Sequence, residues 1–510
     1  MRGKSIIGAA AVAAAVAFAG CGSDGDHAMG LASLAPPDVP LYAEAAIRPE
    51  GSQADAVSSI VERVAGSTAP LDRLNGKLDQ SMAGAGLALT YEHDIEPWIG
   101  RRVAVFVRSF RPATPSGIPD LAVEVEAEDA DAANAFLARA IGPAIAVKSS
   151  YSGVDYYSVR SENLDIGVIG DAVVFGTDAA FKLAVDTSNG ESLADSSEYT
   201  DRVSSLPEDA LGTVFLDPGS VIEAAAAANP DSARDLRMLK PLLAGPLSAP
   251  IAASLSATGD TATIDLAALV DGADGLAEES PALADLPAGA WFAAAVPGLG
   301  PALARTADEF SKSGMPGAGA VAAWLKRETG LDLNQDVLSW LHGAAGFVSG
   351  TSERDLELGA IANSTDPDSP RALVEALRRL AEADGHASAG PAPEGADYGF
   401  TLKGGKLSVG MVGSQLVAAL RGSLDEVLQP PSTLADDQNY SSARAALGED
   451  FTPLAYAGLQ SFIVVAEKSG AGDDPDFRAV RPYLDALRYM IAGTRIDDGT
   501  AVSRLVIGLQ

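Results

Sequence analysis

Leu164-Asp-Ile-Gly-Val-Ile-Gly-Asp-Ala-Val-Val174 predicts two strands joined by a tight turn. The strand-like runs at 164–169 and 172–176 leave only two residues between them. A parallel crossover needs a dozen or more residues, so this pair is predicted to be antiparallel. The same pattern returns about 242 residues later as Leu407-Ser-Val-Gly-Met-Val-Gly-Ser-Gln-Leu-Val417. The stretch therefore predicts an antiparallel sheet, and its repetition suggests that the chain contains this sheet twice.

Further matches between the two halves keep the same order and nearly the same spacing. They pair Leu193–Tyr199 with Leu434–Tyr440, Leu206–Asp209 with Leu447–Asp450, Asp94–Gly100 with Asp336–Gly343, Asp155–Tyr156 with Asp397–Tyr398, and Lys240–Leu243 with Arg481–Leu484. Residues 271–281 carry the Gly, Pro and charge typical of a segment between domains. We therefore predict two tandem copies of one domain at 31–272 and 281–510, joined by a linker at 273–280.

Within each copy, hydrophobic residues recur with a period of two in some segments and about 3.6 in others. Hairpins are predicted to close the copies at 251–269 and 489–509. Helices are predicted between the strands, at 52–65, 132–141, 178–186, 219–228, 231–243, 302–311, 319–328 and 371–382. The pattern indicates an α+β fold in which each copy is a largely antiparallel sheet covered by helices on one face.

One predicted strand has an apolar face and an acidic face. Leu121, Val123 and Val125 fall on one side of it. Glu124 and Glu126 fall on the other side, because successive side chains of a strand alternate between faces. The pattern predicts a half-buried strand with its glutamates in water.

Cys21 is the only cysteine of the chain, and it follows a segment with the layout of a bacterial lipoprotein signal. A basic start precedes an apolar run at 5–18 and small residues at 19–20. The apolar run is shorter than the roughly 20 residues that span a membrane. We predict that residues 1–20 are a cleaved signal peptide, that Cys21 is lipidated, and that 21–30 form a polar tether. The alternative is a plain secretory signal with an incidental cysteine.

The chain is strongly acidic, with 69 Asp and Glu against 36 Lys and Arg and a net charge of −33. Such a surface disfavours nucleic acid, because phosphate binding depends on clusters of Lys and Arg. The charge is compatible with cationic ligands or divalent ions, or with solubility alone. The predicted partners are the membrane, through the lipid on Cys21, and an unknown protein or apolar ligand.

No catalytic, cofactor or metal motif stands out in the sequence. The four histidines are scattered, at His27, His93, His342 and His386. There is no His-Glu-x-x-His, no Gly-x-Ser-x-Gly and no phosphate-binding loop ending in Gly-Lys-Ser/Thr. We therefore predict no catalytic residue, no cofactor and no metal ligand.

Two acidic stretches could be mistaken for calcium sites. Asp332, Asn334 and Asp336 alternate as at the start of a calcium loop, but Val337 stands where that loop requires Gly. We predict instead that Asp336 caps a short helix. The run at 473–476 is predicted to be an exposed acidic loop.

Trp98 and Trp340 each follow an aspartate, Asp94 and Asp336, by four residues. Such a pair could form an aromatic platform for a ligand. It could equally anchor a core, with the indole under the following strand and the aspartate capping the turn. Because the pair recurs beside a predicted sheet in both copies, we favour packing.

Ala35-Pro-Pro-Asp-Val-Pro-Leu-Tyr-Ala-Glu-Ala-Ala-Ile-Arg-Pro49 and the following helix resemble the opening of bacterial envelope proteins grouped as domain of unknown function family 3352. Asp94-Ile-Glu-Pro-Trp-Ile-Gly100, running into a strand at 103–107, is similar to the next block of that family. In the second copy the opening survives only at 286–292, without the aspartate. The resemblance implies export and this architecture, and it carries over no site residue.

The sequence thus favours a lipid-anchored, non-catalytic protein on the extracytoplasmic face of a membrane, which binds a partner or an apolar ligand. One alternative is the solute-binding lipoprotein of a transporter, which predicts two parallel βα lobes. The other is an enzyme that uses acidic residues only, since the many carboxylates can contain a pair that no motif reveals.

Overall fold

The computed structural model describes residues 30–65, 89–141, 146–228, 249–269, 282–312, 319–352, 354–366, 368–383, 387–390, 392, 395–402, 405–497 and 499–510, with isolated residues at 76, 79, 80, 83 and 233. The predicted signal peptide 1–20, Cys21, the linker 273–280 and nearly all of the predicted helix 231–243 lie outside these residues. The chain divides into two compact units between Leu269 and Val270.

The described part of unit 1 contains ten strands. They are β1 (Leu41–Ala46), β2 (Ile99–Pro112), β3 (Pro119–Ala127), β4 (Val147–Tyr151), β5 (Val154–Val159), β6 (Leu164–Ile169), β7 (Ala172–Thr177), β8 (Gly212–Leu216), β9 (Ile251–Ala257) and β10 (Thr261–Leu269). They pair in the order β10-β9-β8-β1-β2-β3-β7-β6-β5-β4, and every one of these pairs is antiparallel. The predicted antiparallel sheet is therefore present.

Five α-helices are described in unit 1. They are α1 (Gly51–Ala65), α2 (Ala130–Ala140), α3 (Asp178–Thr187), α4 (Ser197–Val203) and α5 (Pro218–Ala228). Short 3-10 turns occur at Leu31–Ser33 and Leu193–Asp195, and a π-helical turn at Tyr91–Ile95. The predicted helices at 52–65, 178–186 and 219–228 are confirmed within a residue or two. The predicted helix at 132–141 begins two residues earlier, because Asp129 caps it by accepting the N–H of Ala132.

The described part of unit 2 also contains ten strands. They are β11 (Ala290–Val296), β12 (Leu341–Ser349), β13 (Glu357–Ser364), β14 (Ala387–Gly390), β15 (Tyr398–Leu402), β16 (Gly405–Val412), β17 (Gln415–Leu420), β18 (Thr452–Gly458), β19 (Leu487–Asp497) and β20 (Thr500–Leu509). Their antiparallel order is β20-β19-β18-β11-β12-β13-β17-β16-β15-β14.

Seven α-helices are described in unit 2. They are α6 (Leu299–Lys312), α7 (Ala320–Thr329), α8 (Asp368–Ala383), α9 (Leu424–Leu428), α10 (Gln438–Leu447), α11 (Leu459–Lys468) and α12 (Pro475–Leu484). Shorter turns lie at Leu283–Asp285, Leu333–Leu338, Leu434–Asp436 and Ala471–Asp473. No helix in the described part of the chain is both long and apolar enough to cross a membrane.

Helices cover both faces of the sheet in unit 1, and not one face as predicted. On one face, Val123 and Val125 of β3 pack in a core with Leu137 of α2. On the other, Tyr156 of β5 lies against Phe181 of α3 with ring centroids 5.0 Å apart. The prediction was wrong because it took the glutamates of β3 as a mark of solvent.

Glu124 is buried, contrary to the prediction that it lies in water: its exposed fraction is 0%. Across four neighbouring strands, the register partners are Glu124 on β3, Val174 on β7, Gly167 on β6 and Tyr156 on β5. Register partners point to the same face, so Glu124 shares the covered face with Tyr156. The strand is therefore buried on both sides, and an acidic residue in a strand does not by itself indicate water.

The repeated glycines of the opening stretch have two different roles. Gly170 and Gly413 form the turns with φ of +58° and +63°, a conformation that favours glycine. Gly167 and Gly410 lie inside β6 and β16 and not in the turn. A Cβ on Gly167 would come within 3.1 Å of the Phe181 ring, and one on Gly410 within 3.0 Å of Leu424. These two positions allow helices to pack closely on the sheet.

Candidate functional site

The two tryptophans identified in the sequence are buried in their own units. Trp98 is 6% exposed and Trp340 is 4% exposed. Trp98 belongs to the core of β2, β3 and α2, and its ring lies 5.3 Å from that of Phe136. These observations assign packing to both residues and leave neither indole as a surface platform.

Asp94 and Asp336 lie within the turns that precede the tryptophans, and each accepts a hydrogen bond from the main chain at the start of its turn. The predicted caps at Asp94 and Asp336 are corrected, because the N-cap residues are Thr90 and Asp332. Asp94 Oδ2 accepts the N–H of Thr90 at 2.9 Å, and Asp336 Oδ2 accepts the N–H of Asp332 at 2.6 Å. Each aspartate thus satisfies a main-chain donor at the start of its turn.

The two acidic stretches that resemble calcium loops use carboxylates as helix caps. Asp332 Oδ1 accepts the N–H groups of Asn334 and Gln335, and hydrogen bonding, led by Gln335, lowers the pKa of Asp332. Asp474 caps α12 by accepting the N–H of Asp476 at 2.7 Å. Among the residues that the structure describes, no group of three His, Cys, Asp or Glu is placed to hold a metal ion.

A cavity of about 910 Å³, open to solvent on one side, lies within unit 2. One wall is a face of α10, a second is the turn at 282–284, and the ends of β11 and β18 complete it. The lining residues are mostly apolar: Ala282, Leu283, Ala284, Ala295, Pro297, Ala435, Tyr440, Ser441, Arg444, Ala445, Glu449, Thr452 and Pro453. A mostly apolar concavity with a few polar groups is the usual form of a small-molecule site.

The polar side of the cavity centres on Arg444 and Tyr440. The Arg444 guanidinium donates to the carbonyl oxygens of Gly448 at 2.6 Å and Glu449 at 3.2 Å. Burial raises the pKa of Tyr440, whose ring meets that of Tyr456 edge to face at 5.2 Å. Both side chains are therefore held in place by contacts within unit 2.

The cavity lies where unit 1 contains a larger side chain. Ala295 of β11 pairs with Ala345 of β12, as Glu44 of β1 pairs with Ala104 of β2. The two residues therefore occupy the same register position in sheets of the same strand order. Ala295 thus lines the cavity with a methyl group, where unit 1 has the longer side chain of Glu44.

Unit 1 contains an acidic pair at this position. Glu44 and Glu124 both pair with Ala104, from opposite sides of β2. Register partners share a face, so the two carboxyl groups lie over one small side chain, on strands about 10 Å apart. In unit 2 the corresponding pair of positions holds Ala295 and Ile361.

The two carboxyl groups of the acidic pair have opposite surroundings. Glu44 accepts hydrogen bonds from Tyr42 Oη at 2.6 Å and Arg102 Nη1 at 2.5 Å. Neither oxygen of Glu124 has a hydrogen-bond partner within the described residues. Burial, with the charge of Glu44 adding to it, raises the pKa of Glu124 well above its usual range.

Sequence reasoning found neither the cavity nor the acidic pair. Glu44 and Glu124 are far apart in the chain, and no motif connects them. The available signal is the alternation of Glu124 with valines. That alternation predicts that the Glu124 side chain is exposed, and it does not distinguish this from a strand that is covered on both faces. The cavity follows from small residues on four separate segments, which no local pattern joins.

The fold and the cavity together define a class: an α+β protein of two units built on antiparallel sheets, with a mostly apolar cavity. A family model described as protein of unknown function (DUF3352) matches residues 5–396, and the chain belongs to this family. The resemblance seen in the sequence is thereby confirmed.

Among solved structures, the chain is similar to three crystal forms of TP0453. Form I is 8% identical over 50% of this chain and 88% of that chain, with a TM-score of 0.25. Form III is 8% identical over 49% and 88%, with a TM-score of 0.24, and form IV is 9% identical over 47% and 79%, with a TM-score of 0.23. No curated protein matches the chain.

Proposed function

We propose that this protein is a lipid-anchored, non-catalytic component of the cell envelope that binds an apolar ligand in the cavity of unit 2. The cavity is the observation that supports binding. Its volume of about 910 Å³ lies in the range of known ligand sites. Its walls are mainly Ala, Leu and Pro, which favour apolar contacts, and Arg444 and Tyr440 supply polar groups at one side.

The proposal includes an internal duplication, with unit 1 and unit 2 as two copies of one domain at 31–272 and 281–510. Its support is the strand order, which is the same in both units when ten is added to each strand number. Shared details add to this support: Leu193 donates its N–H to Ala35 O at 2.7 Å, and Leu434 donates to Leu286 O at 2.7 Å. An experimental structure with different strand orders in the two units would contradict it.

The binding proposal is tested with pyrene, an apolar fluorophore, titrated into the full chain. We expect saturable binding, with about one pyrene per protein. Ala445→Phe places an aromatic ring at the cavity and should weaken binding at least tenfold. Gln438→Phe adds the same ring to the same helix, on a residue that does not line the cavity, and should leave binding unchanged.

Two outcomes would contradict a ligand site in the cavity: no saturable binding, or equal binding by the two variants. The natural ligand is sought in a second experiment, by mass spectrometry of organic extracts of the purified protein. A bound lipid supports the proposal. A protein partner recovered with an empty cavity would favour the partner function instead.

The anchor is proposed from the sequence of residues 1–21. When the protein is expressed in a bacterial host, we expect the membrane fraction to contain a chain that begins at a diacylated Cys21. Two acyl chains hold a protein stably at a membrane, whereas one holds it only marginally. Cys21→Ala should release the protein from the membrane or leave its precursor uncleaved. An unmodified Cys21 by intact mass would contradict the anchor.

The alternatives receive less support. A solute-binding lipoprotein with parallel βα lobes does not match strands that pair antiparallel in both units. For an acid-based enzyme, one candidate pair is Glu44 with Glu124, and another is Asp165 with Asp178, in which Asp165 is only 1% exposed. Glu124 is fully buried, so a substrate does not reach it in this structure.

A further inference from the structure

Glu124 is costly to the fold of unit 1, and the fold does not require it. It is completely buried, and within the described residues both of its oxygens are without a hydrogen-bond partner. A buried carboxyl group without a partner destabilises a protein. In unit 2, Ile361 stands at the same register position and pairs with Ala345 as Glu124 pairs with Ala104. We therefore look for a role of the carboxyl group other than stabilising the sheet.

The charged and titratable groups around Glu124 come from several elements. From β1, Glu44 is the nearest charge, and Tyr42 faces the same pocket of the core. From β2, Arg102 binds Glu44. From α4, Tyr199 lies beyond Tyr42, with ring centroids 5.9 Å apart. On the same face, Glu126 of β3 accepts the N–H groups of Arg101 and Arg102, and Asp165 of β6 is buried, which raises its pKa. Glu124 thus shares its face with other carboxyl groups, and Glu44 takes its hydrogen bonds from other residues.

The remaining elements packed against β3 contribute no counter-charge to Glu124. On α3, Lys182 binds Asp178, four residues earlier. The turn at 31–35 reads Leu-Ala-Ser-Leu-Ala and has no titratable side chain. On the neighbouring strand β7, the register partner of Glu124 is Val174. Within the described residues, nothing placed against Glu124 would stabilise its negative charge.

Two segments form what we call the cover layer of unit 1: residues 31–35 and 193–203. They are joined by the hydrogen bond from Leu193 N to Ala35 O, and they are held to the sheet by Tyr199 against Tyr42. In unit 2 the matching segments, around 282–286 and 434–445, border the cavity. The same layer therefore stands over a filled core in unit 1 and over an open space in unit 2.

We propose that Glu124 is a proton-binding site that controls the cover layer of unit 1, which is closed while the proton is bound and opens when it is lost. This inference goes beyond the proposed ligand binding and does not depend on it, but its comparison of Glu124 with Ile361 rests on the proposed duplication. Loss of the proton places a charge beside Glu44 in a core without a counter-ion. Opening the cover layer brings water to that charge.

The direction of the pH dependence follows from burial. Burial raises the pKa of Glu124 above its value in the unfolded chain. Its stabilising, neutral form is fully present below the unfolded pKa, and this contribution is lost as the pH rises through the folded pKa. A rise in pH should therefore favour opening of the cover layer, by up to about tenfold per pH unit between the two pKa values.

The test is hydrogen exchange of the full chain between pH 5 and 8, with protection corrected for the intrinsic exchange rate. In the wild type, protection of peptides covering 193–203 should fall by up to about tenfold per pH unit. In Glu124→Ile and Glu124→Gln, protection should fall much less with pH than in the wild type, and Asp165, whose pKa burial also raises, accounts for any dependence that is left. Peptides covering 434–447 serve as a control within the same chain, because unit 2 has Ile361 at this position.

Glu128→Gln, at an exposed position just after the strand, is the matched variant and should behave as the wild type. Protection of 193–203 that is independent of pH in the wild type would overturn the proposal. The same would follow if both Glu124 variants retained the wild-type dependence. Glu124→Gln keeps the shape of the side chain, so it preserves the test if Glu124→Ile fails to fold.

Discussion

The indole Nε1 of Trp98 donates a hydrogen bond to the main-chain oxygen of Asp94 over 2.8 Å, four residues back in the chain. Trp340 makes the same bond to Asp336 over 3.0 Å in unit 2. Each indole satisfies its only donor within its own turn and is free to bury its whole ring. The recurrence indicates one anchoring device used in both units.

Removal of either buried indole should destabilise the protein substantially. We expect Trp98→Ala and Trp340→Ala each to lower the free energy of unfolding by about 3–5 kcal/mol, through lost burial and the cavity left behind. Trp324→Ala is the control, since Trp324 is 44% exposed on α7, and it should change stability little. Urea unfolding measures all three. A wild-type midpoint for Trp98→Ala would show that its burial contributes nothing.

The aspartates of the two turns should contribute less than the indoles. Asp94→Ala and Asp336→Ala each leave a main-chain N–H without its acceptor. The expected loss of unfolding free energy is about 1 kcal/mol for each. Glu92 is an exposed acidic residue of the same turn as Asp94, so Glu92→Ala separates a general charge effect from the contacts of Asp94, which are this hydrogen bond and an ion pair with Arg139 at 3.4 Å. Equal losses in Glu92→Ala and Asp94→Ala would contradict the assignment.

Replacement of Glu124 by isoleucine should stabilise the protein at high pH. Hydrophobic replacement of buried ionised groups often adds about 1–4 kcal/mol, and isoleucine is the residue that unit 2 uses. The gain should be largest above the folded pKa of Glu124, which burial raises. Below about pH 4 it should shrink to the smaller gain from removing a neutral buried carboxyl group that has no hydrogen-bond partner. Urea unfolding of wild type and variant from pH 4 to 8 measures this. A variant less stable than the wild type at pH 8 would mean that the carboxyl group has a stabilising partner.

The turn glycines should be sensitive to any side chain. Gly170 and Gly413 have positive φ, and nothing lies within 4 Å of a Cβ added at either. The cost of Gly→Ala is therefore purely conformational, about 1–2 kcal/mol. Gly289→Ala is the control, since that position is equally open without a positive φ. Chemical unfolding measures the change in unfolding free energy for the three variants. Equal losses in all three would exclude positive φ as the cause.

Local patterns predicted much of the secondary structure. The hairpin 164–177 and the closing hairpins of both units were predicted because alternation and turn residues are short-range signals. The short helices α4 and α9 and the longer helices α10, α11 and α12 were missed. In α10 the apolar spacing is weak, with two adjacent serines in its middle. Helix α12 contains Pro482, which disfavours a helix when judged from the sequence alone.

The sequence by itself determined the antiparallel hairpins, the helix-rich connections, the repeated pattern and the turn glycines, because each depends on residues close together in the chain. Only the tertiary structure decided that Glu124 is buried, that it shares Ala104 with Glu44, and that Ala295 lines a cavity. These outcomes depend on the register between strands that are distant in the chain. Register is set by the packing of whole faces, and no local period encodes which faces will meet.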